Sequence, residues 1–219
     1  MKNPSIRVVF SLKQVVFEGA RGKIGPLTLD VSAGEDHVLF LEDPGDGMTL
    51  VRIIKGMAAP LSGRVLKEGE DTTGWIIRDG IVALVDGPFF SRTVRDEIAF
   101  AVRVGESKRK IEMTPFLSEI LRKTGCEMAG DKIVTNLSDF EGRLLVLASG
   151  LLMLPDCLVI QEPLRGLDDR QTARYLDLLR YGKETVGFAT LQLMPEGHKP
   201  IPLETSPAPL PPETEETRP

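Results

Sequence analysis

The apolar run His37-Val38-Leu39-Phe40-Leu41 reads as a strand. It passes through a short loop with two glycines, Glu42-Asp43-Pro44-Gly45-Asp46-Gly47, into a helical pattern over residues 49–56 that Gly56 closes. A strand, a Gly-bearing loop and a helix in direct succession set the free N–H groups of a helix N-terminus at a strand end, a unit that elsewhere cradles phosphates. The loop here is acidic. Asp43 and Asp46 oppose phosphate, so a plain strand-to-helix turn is the preferred reading over a phosphate nest.

Upstream, residues 6–10, 13–17 and 27–31 alternate like paired antiparallel strands. Downstream, residues 63–66 and 74–77 read as a hairpin leading to a buried strand at 81–85. Residues 94–136 are helical with one charged side, which suits an inserted helical subdomain. Leu137-Ser138 opens another helix of about 15 residues. A strand at 158–160, a helix from about Asp169 to Leu179 and a last strand at 186–190 complete the pattern. Strands alternating with helices predict an α/β fold with a mainly parallel sheet. The segment after Met194 holds eight of the sixteen prolines and several glutamates, so residues 195–219 are read as an extended or disordered tail following a domain of residues 1–194. The last strand is expected to leave one side open unless a partner covers it.

Composition narrows the function. A length of 219 residues suits one domain with a small subdomain, and 42% hydrophobic residues suffice for a sizeable core. A net charge of −5 argues against a nucleic-acid partner. The start, MKNPSIRVVF, shows no signal-peptide pattern. The longest apolar stretch, residues 144–154, is too short to span a bilayer, so direct membrane insertion is not expected. Cys126 and Cys157 lack partner spacing and read as free thiols, Cys157 buried. His37 and His198 are too few and too far apart for a metal cluster, and no metal site is expected. These features point to the cytoplasm.

The order of segments is specific. Residues 50–56, followed by Pro60-Leu61-Ser62-Gly63-Arg64-Val65, resemble the helix after the P-loop of ATP-binding cassette (ABC) transporter ATPases. Residues 90–100 resemble the segment beyond that family's Q-loop. Leu137-Ser138 through Gln161-Glu162-Pro163 is similar to the span from signature motif to Walker B, and Arg165-Gly166-Leu167-Asp168 to the D-loop. Together these cover roughly residues 5–194. The resemblance implies a P-loop NTPase-like sheet with N-terminal antiparallel strands and an inserted helical subdomain at about 94–136.

It also implies which residues would meet Mg-ATP, and most differ in type. Gly47 stands at the Lys position and Met48 at the Mg²⁺-binding hydroxyl position. Thr49 falls one residue too late, and no Lys lies between Lys23 and Lys55. The adenine-stacking aromatic falls near Gly19, the Q-loop glutamine on or near Val85, and the switch histidine on Leu191. The signature LSGGQ reads Leu137-Ser138-Asp139-Phe140-Glu141, and Gln161 replaces the Walker B aspartate. Glu162, at the general-base position, and Asp168 of the D-loop remain. Without the lysine and metal, Glu162 has nothing to activate and reads as a polar strand end capping the turn at Pro163.

The site residues are therefore vestigial: Glu162 and Asp168 in catalysis, Gly45, Gly47 and Thr49 in the P-loop, Leu137 and Ser138 in the signature. No cofactor is expected. Phe89-Phe90 reads equally as core or as the lining of a groove that, in the family, receives a coupling helix of the membrane subunit. The charged run Lys108-Arg109-Lys110 reads as a solvated face. The function implied is an inactive ABC ATPase-like subunit, partnered by an active ABC ATPase, by membrane-spanning subunits or by both, and held at the inner face of the membrane through them. Two other readings stand beside it: a divergent ATPase binding ATP and Mg²⁺ weakly through its backbone loop, and a soluble scaffold unrelated to transport.

Overall fold

The computed structural model describes residues 7–77, 80–84, 89–108, 112–126, 130–201 and 203. Two sheets share the work. An antiparallel sheet of order β2-β1-β4-β5 is built from β1 (Val8–Gly19), β2 (Gly22–Ser32), β4 (Ser62–Lys67) and β5 (Glu70–Asp71). A parallel sheet of order β3-β8-β7-β6 contains β3 (Asp36–Leu41), β6 (Ile81–Leu84), β7 (Cys157–Gln161) and β8 (Ala189–Pro195). The helices are α1 (Pro44–Ile54), α2 (Val94–Glu106), α3 (Met113–Thr124), α4 (Asp139–Leu152) and α5 (Asp169–Val186).

Period-two alternation divides the core. On β7, Cys157 and Val159 face α1 and the antiparallel sheet, while Leu158 and Ile160 face α4 and α5. Both faces are covered, which is why this strand reads as an unbroken apolar run. Leu50, Val51, Ile53 and Ile54 bury one side of α1 in the first cluster, and Leu144, Leu145, Leu147, Ala148, Leu151 and Leu152 bury α4 in the second. A fully buried leucine or isoleucine contributes about 1.5–3 kcal/mol, so these two helices fix the sheet from opposite sides.

Several boundaries differ from the sequence reading. Residues 8–19 form one strand rather than two, with a bulge where Gln14 takes φ 54° and its N–H turns to Thr28 Oγ1 at 3.2 Å. The second hairpin arm is Glu70–Asp71, because the chain already turns at Glu68-Gly69; Trp75 and Ile76 lie outside the sheet and exposed. The last helix runs on to Val186, since Tyr175, Leu178, Leu179, Gly182 and Val186 continue its buried stripe, and Gly187 ends it at φ 72°. The last strand is therefore 189–195, not 186–190. It pairs with β3 on one side and β7 on the other, so the expected open side does not exist.

The tail boundary also moves. Ile201 and Leu203 are buried against the α4–α5 side of the core, and Gln192 holds the Ile201 backbone by two hydrogen bonds, Nε2 donating to its carbonyl at 3.0 Å and Oε1 accepting its N–H at 2.7 Å. Chain beyond Leu203 lies outside the described residues, as do Val85, Arg109 and Lys110. Phe89 packs against the core, while Phe90 is exposed with its ring 5.4 Å from that of Phe100.

Candidate functional site at the strand ends

Parallel strands β3, β7 and β8 end on one side of the sheet, where α/β folds place ligands. There the glycine loop does not stand clear of the helix. Helix α1 begins at Pro44, with Asp43 as its N-cap, so Gly45, Gly47 and Thr49 all lie inside its first turns. The Asp43 carboxylate accepts the Gly45 N–H at 2.8 Å and satisfies one of the free donors. Thr49 Oγ1 donates to the Gly45 carbonyl at 3.2 Å. Asp46 points inward, 3% exposed, and accepts the Ala20 N–H at 2.8 Å, tying the β1–β2 turn to the helix. Gly19, in that turn, is overlain by Ile24: a Cβ added there would lie 2.4 Å from Ile24 Cδ1.

Gln161 ends β7 and reaches across to this turn, its Nε2 donating to the Pro44 carbonyl. The space bounded by Asp43, Pro44, Gly47, Gln161, Glu162 and the end of β8 amounts to about 10 Å³. Glu162 follows with φ 38°, an uncommon conformation for a side-chain-bearing residue. Its N–H donates to the Leu193 carbonyl at 3.3 Å, and its carboxylate faces Arg165 at 3.6 Å. Leu191 is fully buried in the middle of β8, so the switch position inferred there is displaced; the strand end beside Glu162 is formed by Met194 and Pro195. His198, which the sequence reading set aside, lines a cleft with Glu162. Only the longer extent of α5, which moves the last strand three residues on, reveals it.

The signature segment lies elsewhere on the fold. Leu137 is half-buried after a short 3₁₀ turn, Val134–Asn136. Ser138 caps α4 in a reciprocal box with Glu141: its Oγ accepts the Glu141 N–H at 3.3 Å, and the Glu141 carboxylate accepts the Ser138 N–H at 2.7 Å. Lys132 Nζ adds a contact at 2.9 Å. The Ser138 N–H, with Lys132 and the Ser138 hydroxyl, lowers the Glu141 pKa to about 2. The guanidinium of Arg174 stands over Phe140, 5.4 Å from the ring centre. Asp168 is also a cap, boxed with Gln171 at the start of α5. The structure thus brings Gly45, Gly47, Gln161 and Glu162 together, and leaves Leu137, Ser138 and Asp168 at helix starts of their own.

No known family profile matches the chain. It is 31% identical over 170 residues to a putative ABC transporter ATP-binding protein of Methanopyrus kandleri, covering 75% of this chain and 63% of the relative. It is 34% identical over 148 residues to the energy-coupling factor transporter ATP-binding protein EcfA2 of Thermotoga maritima, covering 65% and 54%. Among solved structures, cbiO1 of Clostridium perfringens, part of the ABC transporter complex cbiONQ, superposes with a TM-score of 0.62 at 21% identity over 87% of this chain and 79% of that one. The ADP conformation of another ABC transporter cassette gives 0.65 at 18% identity, over 86% and 81%. The chain has the fold of an ABC transporter ATP-binding domain. This ABC ATPase-like domain spans between about half and 63% of the length of the curated relatives it matches. Among its described residues no helix is long and apolar enough to cross a membrane.

Proposed function

We propose that this ABC ATPase-like domain is a catalytically inactive subunit of a membrane transport complex, where it serves as the structural or regulatory partner of an active ATPase, of membrane-spanning subunits, or of both. The observation that carries the reading is the Gln161 amide seated on the Pro44 carbonyl. A phosphate cradle needs N–H groups turned outward and a lysine to neutralise the anion. Here Asp43 takes the first N–H, and Gly47 stands at the lysine position. The residues present do not fit Mg-ATP.

Glu162 retains the chemical type of a general base, and its carboxylate faces the Arg165 guanidinium. In the signature segment, the anion at the start of α4 is the protein's own Glu141. An acid there opposes a γ-phosphate offered by a second subunit. Core and framework meanwhile remain complete, which suits a subunit kept for its surfaces.

The transport setting rests on the relatives, which are described as transporter ATP-binding proteins, and on a structural neighbour that is part of a transporter complex. A cytoplasmic place at the membrane's inner face follows from that setting. Affinity capture of the tagged full chain from gently solubilised host cells tests it. Recovery with an ATPase that has an intact P-loop lysine, or with a membrane-spanning subunit, is expected. Recovery as a free monomer alone would exclude the partnership.

A further inference from the structure

A cleft of about 490 Å³ opens where β7 and β8 end, within the range of ligand sites, and shares Pro44, Glu162, Met194 and Pro195 with the small space under Gln161. Its walls have two characters. Pro44, Pro163, Leu164, Met194 and Ile201 supply an apolar side. Arg165 and Lys199 supply two cations at the rim beside the His198 imidazole, and Glu162 is the acid in the same wall. Arg165 is 72% exposed and only loosely held by Glu162 at 3.6 Å, and no acid among the described residues pairs with Lys199 or His198.

The chain carries a segment of matching pattern. Residues 210–216 read Leu-Pro-Pro-Glu-Thr-Glu-Glu, an apolar triplet followed by three acids in four positions. It follows Leu203, the last described residue, after only six residues, and Ile201, two residues before Leu203, already forms part of the cleft wall. The Gln192–Ile201 bonds and the burial of Leu203 fix where the segment departs. We propose that this cleft is the docking site of the chain's own acidic segment, residues 210–216, with Leu210, Pro211 and Pro212 against the apolar wall and Glu213, Glu215 and Glu216 against Lys199, His198 and Arg165.

Three physical arguments favour this occupant over a separate molecule. Charge signs are complementary, and the order of apolar and acidic residues follows the two walls of the cleft. Covalent attachment so near the rim gives an effective concentration on the order of millimolar, which lets contacts too weak for a free peptide become populated. Proline-rich backbone also loses less freedom on ordering, which lowers the cost of docking. The inference stands on the cleft and the segment, independent of the nucleotide reading, and its failure would leave that reading untouched.

Zero-length carbodiimide cross-linking of the purified full chain, mapped by peptide mass spectrometry, tests it. Lys199 should join Glu213, Glu215 or Glu216. In an equal mixture of light and isotope-labelled protein the products should stay unmixed. Arg165→Ala with His198→Ala, which keeps Lys199 and all three glutamates, should lower that yield at least about fivefold, since docking loses the Arg165 cation and the imidazole donor beside it. Because the double variant touches the folded domain, a second measurement leaves it intact. Glu213→Lys, Glu215→Lys and Glu216→Lys together should speed amide exchange at residues 163–166 and 195–199 at least about threefold. An undiminished yield in the double variant means tethering without docking. Mixed-isotope products mean a second copy is the occupant, and unchanged exchange means the cleft was open throughout; each of these overturns the proposal.

Discussion

A Cβ atom at Gly47 would lie 2.9 Å from Gln161 Nε2, so the glycine at the lysine position and the glutamine at the aspartate position depend on each other. Any side chain at 47 displaces the amide that Gln161 places on the Pro44 carbonyl. This gives a sign to a double-mutant cycle. Gly47→Ala gains about 0.5–1 kcal/mol of helix propensity. In the parent it also loses a hydrogen bond of about 1 kcal/mol. The substitution should therefore be near neutral or destabilising alone and stabilising in a Gln161→Ala background, with a coupling of about 1 kcal/mol by urea denaturation. Equal effects in both backgrounds would show that the two residues do not interact.

The same pair shows what the sequence could and could not reveal. Strand β7 was legible because burial on both faces leaves four consecutive apolar residues, and the start of α4 because Ser138 and Glu141 form a capping box. The residue types at 47 and 161 were legible too. Their mutual contact was not, since it joins residues more than a hundred positions apart. The end of α5 and the start of β8 were misplaced because Val186 and Phe188 are both buried, and apolar periodicity cannot distinguish a helix's last turn from a strand's first residues. Gly187, a helix-stop signal, was the available clue. The anchoring of residues 201–203 was hidden by local composition: proline content reads as tail, while Gln192, which supplies the hydrogen bonds, lies in the interior of a strand whose end at Pro195 the sequence reading had set at 190.

Lys183 is 9% exposed and donates to the carboxylate of Asp36, which also accepts from Thr190. Lys183→Met should cost about 1–3 kcal/mol, because Asp36 keeps only the threonine as a partner. Adding Asp36→Asn should recover part of that loss, since the unpaired charge goes with it. Thermal melts of the parent, the single variant and the double variant decide the point: a double variant less stable than Lys183→Met would contradict it.

Ser149 lies in the buried face of α4, and its hydroxyl has no hydrogen-bond partner among the described residues. Ser149→Ala removes an unsatisfied polar atom and raises helix propensity, so a gain of about 1 kcal/mol is expected. On a domain of this size that is roughly 2–4 °C in melting temperature. A loss instead would reveal a partner such as a bound water.

Glu141 titrates near 2 in the folded protein, lowered from 4.5 by the Ser138 N–H and then by Lys132 and the Ser138 hydroxyl. A depressed folded pKa contributes stability that is fully present above the unfolded value and is lost as pH falls from about 4.5 towards 2. The carboxylate is 45% exposed, so solvent screening keeps the contribution to about 1 kcal/mol or less. Glu141→Gln should flatten this part of the stability–pH curve and leave its neutral end only slightly lower. A curve of unchanged shape between pH 5 and pH 2 would remove Glu141 as its source.

The central claim is that the strand ends hold no Mg-ATP, and melting of the purified chain in a nucleotide titration tests it most directly. A ligand at 100 times its Kd adds about 2.7 kcal/mol to folding stability. For a domain of this size that corresponds to a rise of roughly 5–10 °C. The account predicts a shift of less than about 1 °C at millimolar Mg-ATP, within what non-specific ion binding produces. A saturable rise of several degrees that requires Mg²⁺ and is lost with the nucleoside alone would contradict it.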